Sequence, residues 1–355
     1  MGMSELDFLR GALDAANQSG KSVLVDDYER ALGEWFGSRH AIAVNSGSAA
    51  IQVALHSLGA KRGRRVAVSA MAPLPSLLPI LATGATPLFV DSRPTNPGMD
   101  PLDLERSLSP NVAAAMEVPL WGYPGDYQEI SEILAAAAVP LVEDAAQAHG
   151  SRIGARCVGT FAAAGCFSTH HKKFLSTGEG GFILTDDDDL YARMKSYARL
   201  GHLGGASEGM NFKISAFTAS IGLARLSQLE ERVRSRRAVA LDLLERLPYA
   251  LSTEMDHVGT PNGYNLVVAN NWPSNFQQAL ADQGIDTDAA KYGYKLGFEH
   301  ALFAELRRPC SNAAALIDRL VQLPTSPDAL EDTLTRVGRA WTASAGSSPS
   351  TSMES

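Results

Sequence analysis

The 355-residue sequence predicts an α/β domain built on a largely parallel sheet, followed by a smaller second domain. From His40 to about Thr185 the apolar runs HAIAV, RVAVSA, TPLFVD, AAAMEVPL, PLVEDA, GCFSTH and GGFILTD alternate with helix-like segments, the rhythm of strands joined by crossover helices. The runs are apolar on both sides, as strands covered by helices on both faces must be. Beyond Leu190 the periodicity becomes helical. Ser215 to about Leu247 reads as one long helix, with Ile221, Leu226 and Leu229 on its apolar side and charges between them. From roughly Ser252 to Thr342 a strand-like GYNLVVAN and further helices make up the second domain, and the Ser-rich AGSSPSTSMES reads as a disordered tail. The chain therefore divides into a large domain, 1–245, with an N-terminal helical segment, a small domain, 246–342, and a tail, 343–355.

Composition narrows the functional classes. A 45% hydrophobic content over this length supports a substantial core. A net charge of -8 argues against a reader of the phosphate backbone, which relies on clustered Lys and Arg. The three cysteines, Cys157, Cys166 and Cys310, are odd in number and lack Cys-x-x-Cys spacing, so they support neither a disulfide framework nor a zinc ribbon, and a reducing cytoplasm fits them. Glu5 and Asp7 stand where a signal peptide needs a basic and then apolar run, and Leu6 stands where a myristoylation signal wants Ser or Thr. No apolar stretch approaches membrane-spanning length, so an unanchored, cytoplasmic protein is expected.

Three segments carry chemistry, in chain order. The first run ends at Val44 and is followed by Asn45-Ser46-Gly47-Ser48-Ala49-Ala50 and an apolar helix. Small residues there let backbone N–H groups at the helix start approach an anion, although such a sequence also serves as a plain turn and N-cap. The run Pro140-Leu-Val-Glu-Asp-Ala-Ala-Gln-Ala-His149 presents Asp144 and then Gln147 at its C-terminal end, where ligands of α/β sheets gather. A carboxylate there can hold a protonated pyridine nitrogen or simply cap a helix. In Cys166-Phe-Ser-Thr-His-His-Lys-Lys-Phe-Leu-Ser-Thr-Gly-Glu-Gly-Gly181 a strand runs into a lysine pair and a glycine-rich turn. A lysine whose surroundings favour the neutral amine becomes a carbonyl nucleophile, whereas a solvated pair does nothing chemical. His170 and His171 suggest a metal, but neighbours in an extended segment point to opposite faces, so no metal is expected. Asp186 to Asp189 read as a capped, solvated helix start.

Taken together, these segments resemble the DegT/DnrJ/EryC1/StrS sugar aminotransferases, members of the fold-type-I pyridoxal-phosphate enzymes. The similarity spans most of Ala41 to Leu229 and rests on NSGSAA, GATPLFVD, VEDAAQAHG and the FS…K…TGEGG block. The resemblance implies a large domain with a mainly parallel seven-stranded sheet between helices, plus a smaller C-terminal α/β domain. It implies that Asp144 pairs with the pyridine nitrogen of pyridoxal 5'-phosphate, that Gln147 lies at the phenolic oxygen, and that Lys173 is the Schiff-base lysine. It further implies a phosphate site from Ser46, Gly47, Ser48 and Ser168, completed by Asn211 from a neighbouring subunit and hence a homodimer. Register with Phe167 selects Lys173 over Lys172, whose side chain is expected on the opposite side of an extended segment.

The sequence also departs from the family pattern. Pro73 stands where relatives place an aromatic ring, Lys213 where they usually have Arg, and AAKYGYKLGFEH, Ala289 to His300, lacks the His-Tyr-x-x-x-His look of many relatives. The implied activity is transfer of an amino group from glutamate or glutamine to a ketone or aldehyde of a sugar, nucleotide-linked sugar, cyclitol or related intermediate of secondary metabolism, including antibiotic biosynthesis. Two alternatives are a pyridoxal- or pyridoxamine-phosphate sugar dehydratase, which the lysine argues against, and a non-catalytic cofactor-binding regulator.

Overall fold

The computed structural model describes residues 4–247, 251, 255–273, 275–285, 287 and 291–345. The expected runs become strands β1 (His40–Val44), β2 (Arg65–Ser69), β3 (Thr86–Val90), β4 (Val112–Glu117) and β5 (Leu141–Asp144). A short hairpin, β6 (Arg152–Ile153) and β7 (Arg156–Cys157), precedes β8 (Ala164–Ser168) and β9 (Gly181–Thr185). One seven-stranded sheet results, in the order β1-β9-β8-β5-β4-β2-β3. Only β9 runs against its neighbours, pairing antiparallel with both β8 and β1, while the other pairs are parallel. Reversing twice leaves β1 parallel to β8 and β5, so the C-terminal ends of β1, β2, β4, β5 and β8 share one edge. Side chains alternate between two cores: Ile42, Val44, Val66 and Val68 face one, and Ala41, Ala43 and Ala67 the other. This alternation explains why the runs read as apolar on both sides.

The long helix expected from Ser215 to Leu247 is two helices, Ala216–Leu226 and Leu229–Arg246. Ser215 caps the first through the Thr218 N–H, and the chain turns at Ser227, whose hydroxyl donates to the Ala224 carbonyl. A continuous apolar stripe cannot report such a break, because both helices bury the same kind of face. The second helix supplies Val239 and Leu243 to a separate core with Leu266, Val268, Phe276, Val321 and Leu323. That smaller unit contains the expected strand, now β10 (Asn265–Ala269), and an antiparallel partner the pattern did not reveal, β11 (Leu320–Pro324).

The helix Leu330–Ala345 includes Ala343 to Ala345, assigned from sequence to the tail; residues 346–355 lie outside the described residues, as do Ser252 and Ala289. The acidic stretch behaves as expected: Asp187 caps the helix Asp188–Ala198 by accepting the Leu190 N–H. Among the described residues, no helix is long and apolar enough to cross a membrane.

Candidate active site

At the shared edge of the sheet the expected residues converge on one cavity of about 760 Å³, lined by Ser46, Gly47, Ser48, Asp144, Gln147, Ser168 and Lys173 among others. Topology achieves this, since each of these residues ends or follows a strand that finishes on that edge. Ser46 caps the helix Gly47–Ser57 by accepting the Ala49 N–H at 3.0 Å. Gly47 and Ser48, the first helical residues, have N–H groups that the helix itself does not use. A Cβ on Gly47 would lie 2.7 Å from Ser168 Cβ, so glycine is what allows this helix start to pack against the end of β8. The turn-and-cap reading and the anion-cradle reading are thus compatible in the same few residues.

Asp144 is buried at the end of β5 and does not cap a helix. Its Oδ2 accepts from Ser76 Oγ at 2.5 Å and its Oδ1 from the Ala146 N–H at 3.2 Å. Burial pushes its carboxyl above the ordinary aspartate value, opposed by Ser76, the Ala146 N–H and the charge of Lys173. Gln147 is fixed by its Oε1, which accepts the Trp121 N–H at 2.5 Å, while its carbonyl accepts from Asn262 Nδ2 at 2.9 Å. Trp121 holds a left-handed backbone, φ 55°.

Lys172 and Lys173 sit in a turn, with the Lys173 N–H donating to the His170 carbonyl at 2.8 Å, so the extended segment expected here is corrected. In consequence His170 and His171 do not point apart: His171 Nδ1 lies 3.0 Å from His170 Nε2. The turn still separates the two lysines. Lys172 is exposed and donates to Tyr292 Oη at 2.7 Å, whereas Lys173 is half-buried with Nζ 5.1 Å from the Tyr264 ring centroid. Asn211 alone among the expected residues lies outside the cavity. It is exposed on the same chain and accepts from Lys213 Nζ at 2.5 Å.

Several cavity residues had no signal in the sequence. Ser76 sits in the unremarkable APLPSLLPI, and Tyr264 of the small domain and Arg236 of the helix Leu229–Arg246 reach the site only through the tertiary fold. Tyr292 and Tyr294 belong to the YGY that departs from the family pattern. Tyr294 packs edge-on against Trp121 and bonds to the Met71 carbonyl, and the Gly297 N–H donates to the Ala70 carbonyl at 2.8 Å. Pro73 lines the cavity without offering an aromatic ring.

A doubly covered, mainly parallel sheet that brings a buried aspartate, a lysine and a glycine-based anion cradle to its carboxyl edge defines a pyridoxal-phosphate-binding enzyme scaffold. Comparison with known proteins makes the assignment specific. The chain belongs to the DegT/DnrJ/EryC1/StrS aminotransferase family, which it matches over residues 5–342. It is 32% identical over 241 residues to GDP-perosamine synthase of Escherichia coli O157:H7, covering 66% of each chain. It is also 32% identical over 265 residues to L-glutamine:2-deoxy-scyllo-inosose aminotransferase of Micromonospora echinospora, covering 67% of this chain and 63% of that one. The matches thus span a little under two thirds of those relatives' lengths. Among solved structures, S. venezuelae DesV in complex with a ketimine intermediate superposes with a TM-score of 0.86 at 26% identity, covering 95% of this chain and 92% of that one. Pyridoxal 5'-phosphate is the cofactor of the family. The residues present fit it: Ser46, Gly47 and Ser48 bring a helix N-terminus to the cavity where a phosphate can be held, and the buried Asp144 carboxyl, which lacks solvation for its charge, is suited to pair with a protonated ring nitrogen.

Proposed function

We propose that this chain is an aminotransferase that moves an amino group from an amino-acid donor to a ketone or aldehyde of a sugar, nucleotide-linked sugar or cyclitol. What carries the reading is that Asp144 and Lys173 line one cavity together with Gly47 and Ser168, which pack closely against each other. When bound, the cofactor supplies a carbonyl that takes up the amino group and a protonated ring that withdraws electrons from the substrate's Cα. Asp144 keeps that ring nitrogen protonated from its hydrogen-bonded, buried position. Lys173 Nζ holds the cofactor at rest, and once released takes the proton from the donor's Cα and returns one to the acceptor carbon. Ser46, Gly47, Ser48 and Ser168 would hold the phosphate, and Gln147, whose Oε1 accepts the Trp121 N–H, would serve the phenolic oxygen.

In this reading Asn211 serves a neighbouring subunit of a homodimer, which accounts for its exposure and its place outside its own chain's cavity. The division 1–245 and 246–342 separates a cofactor-binding domain from a small domain that closes over it. A place in secondary metabolism, such as antibiotic biosynthesis, draws support from relatives named as an amino-sugar transaminase and a cyclitol aminotransferase. The decisive experiment adds glutamate, then a keto acceptor, to the yellow holoenzyme. The visible absorbance should fall with the first and return with the second. A protein that binds the cofactor but completes neither change is a regulator and not a transaminase.

A further inference from the structure

Asn262 is fully buried just before β10 and does not line the cavity, yet its amide touches three chain segments that bear on it. Its Nδ2 donates to the carbonyls of Gln147 at 2.9 Å and His149 at 3.0 Å, and its Oδ1 accepts the Tyr264 N–H at 2.8 Å. With two carbonyls and one N–H around it, only an amide in this one orientation satisfies all three. The remaining segment is the turn at Trp121 and Gly122. A Cβ on Gly122, φ 87°, would stand 2.0 Å from Asn262 Oδ1, so this turn lies directly on the amide. Ser151 Oγ holds the same turn by donating to the Gly122 carbonyl at 2.6 Å.

These contacts fix Gln147 twice. Its main chain is held by Asn262 directly, and its side chain by the Trp121 N–H of the turn packed on Asn262. An N–H can only donate, so Gln147 turns Oε1 to Trp121, and its Nε2, which has no hydrogen-bond partner among the described residues, is left for the cavity that Gln147 lines. Tyr264, held on Asn262 Oδ1, sets its ring 5.1 Å from Lys173 Nζ on another wall of the same cavity. Building on the cofactor placement proposed above, we infer that Asn262 is a positioning residue of the active site, acting through Gln147 to keep the Nε2 donor on the cofactor's phenolic oxygen.

The test follows the visible absorbance of the holoenzyme against pH, with no substrate present. A donor on the phenolic oxygen favours the deprotonated form of the bound cofactor, so losing that donor moves the midpoint of the titration upward. Q147A should raise the midpoint by about one pH unit and N262S by about half a unit. In the double variant N262S/Q147A the midpoint should stay within about 0.2 units of that of Q147A, because a residue that acts through Gln147 has nothing left to position. A residue that serves packing alone would leave the midpoint at the parent value or add its own shift to that of Q147A. N262T, which fills more of the space and keeps one donor, is titrated in the same way where N262S does not fold. A parent-like midpoint in folded N262S or N262T, or additive shifts in the double variant, would overturn the proposal and leave the placement of Gln147 in force. An unchanged midpoint in Q147A would refute that placement and the proposal together. The titration needs no turnover, so a holoenzyme that converts no donor would refute the transaminase reading and leave this comparison standing.

Discussion

Ser76 Oγ donates to Asp144 Oδ2 at 2.5 Å, joining the helix Leu74–Ala82 to the end of β5 inside the protein. The bond stabilises the charged carboxylate against a burial that raises its pKa. Removing it in Ser76→Ala raises the Asp144 pKa further, so the acid limb of the pH–rate profile should move to higher pH and kcat at neutral pH should fall about three- to thirtyfold. Asp144→Asn, which cannot ionise, should keep the fold and lose about a hundredfold or more. A Ser76→Ala profile superimposable on that of the parent would show that the bond does not tune the aspartate.

The turn at Lys172 and Lys173 places one amine at the surface and the other partly inside. Borohydride reduction of the holoenzyme followed by peptide mapping should leave the pyridoxyl group on Lys173. Lys173→Ala should lose the visible absorbance and turnover. Lys172→Ala should retain the absorbance, since Lys172 is occupied by Tyr292 at the cavity mouth. A label on Lys172 would reverse the assignment and shift the register of the glycine-rich block.

Asn211 is exposed on its own chain, so any role in the site has to be played in a partner's. Mixing inactive Lys173→Ala subunits with inactive Asn211→Ala subunits should regenerate some sites that have both residues intact. Demonstrated subunit exchange with no recovered turnover would exclude sharing of this residue.

Glu117 lies buried in β4, and its Oε1 has no hydrogen-bond partner among the described residues. Burial pushes its carboxyl up to about 7 from an ordinary 4.5. The folded state therefore binds this proton more tightly than the unfolded state, so the stability contribution is present below pH 4.5 and is lost as pH rises through about 7. Glu117→Gln should match the parent in urea denaturation near pH 4.5 and exceed it by about 2–3 kcal/mol at pH 8. Identical stability of the two proteins at pH 8 would mean that the carboxylate is better solvated than its burial implies.

The alternation of apolar runs was enough to mark the strands, because strands of a doubly covered sheet are apolar along their length, but it did not show that β9 reverses against β8 and β1 without a crossover helix. Local sequence singled out the turn at Gly47, the strand-end carboxylate of Asp144 and the lysine pair before a glycine-rich turn, while Ser168 and the choice of Lys173 over Lys172 came from the resemblance to the family. It could not show the break at Ser227, where both helices bury the same kind of face, or the turn that brings His170 and His171 together, where an extended geometry had to be assumed. Only the tertiary structure decided that Ser76 reaches Asp144, and that Tyr264, Arg236, Tyr292 and Tyr294 line the same cavity as Lys173. These contacts join residues far apart in the chain. Nothing in the local pattern of a serine, an arginine or a tyrosine specifies its distant neighbour, and the partner is fixed only when the packing of two cores brings the elements together.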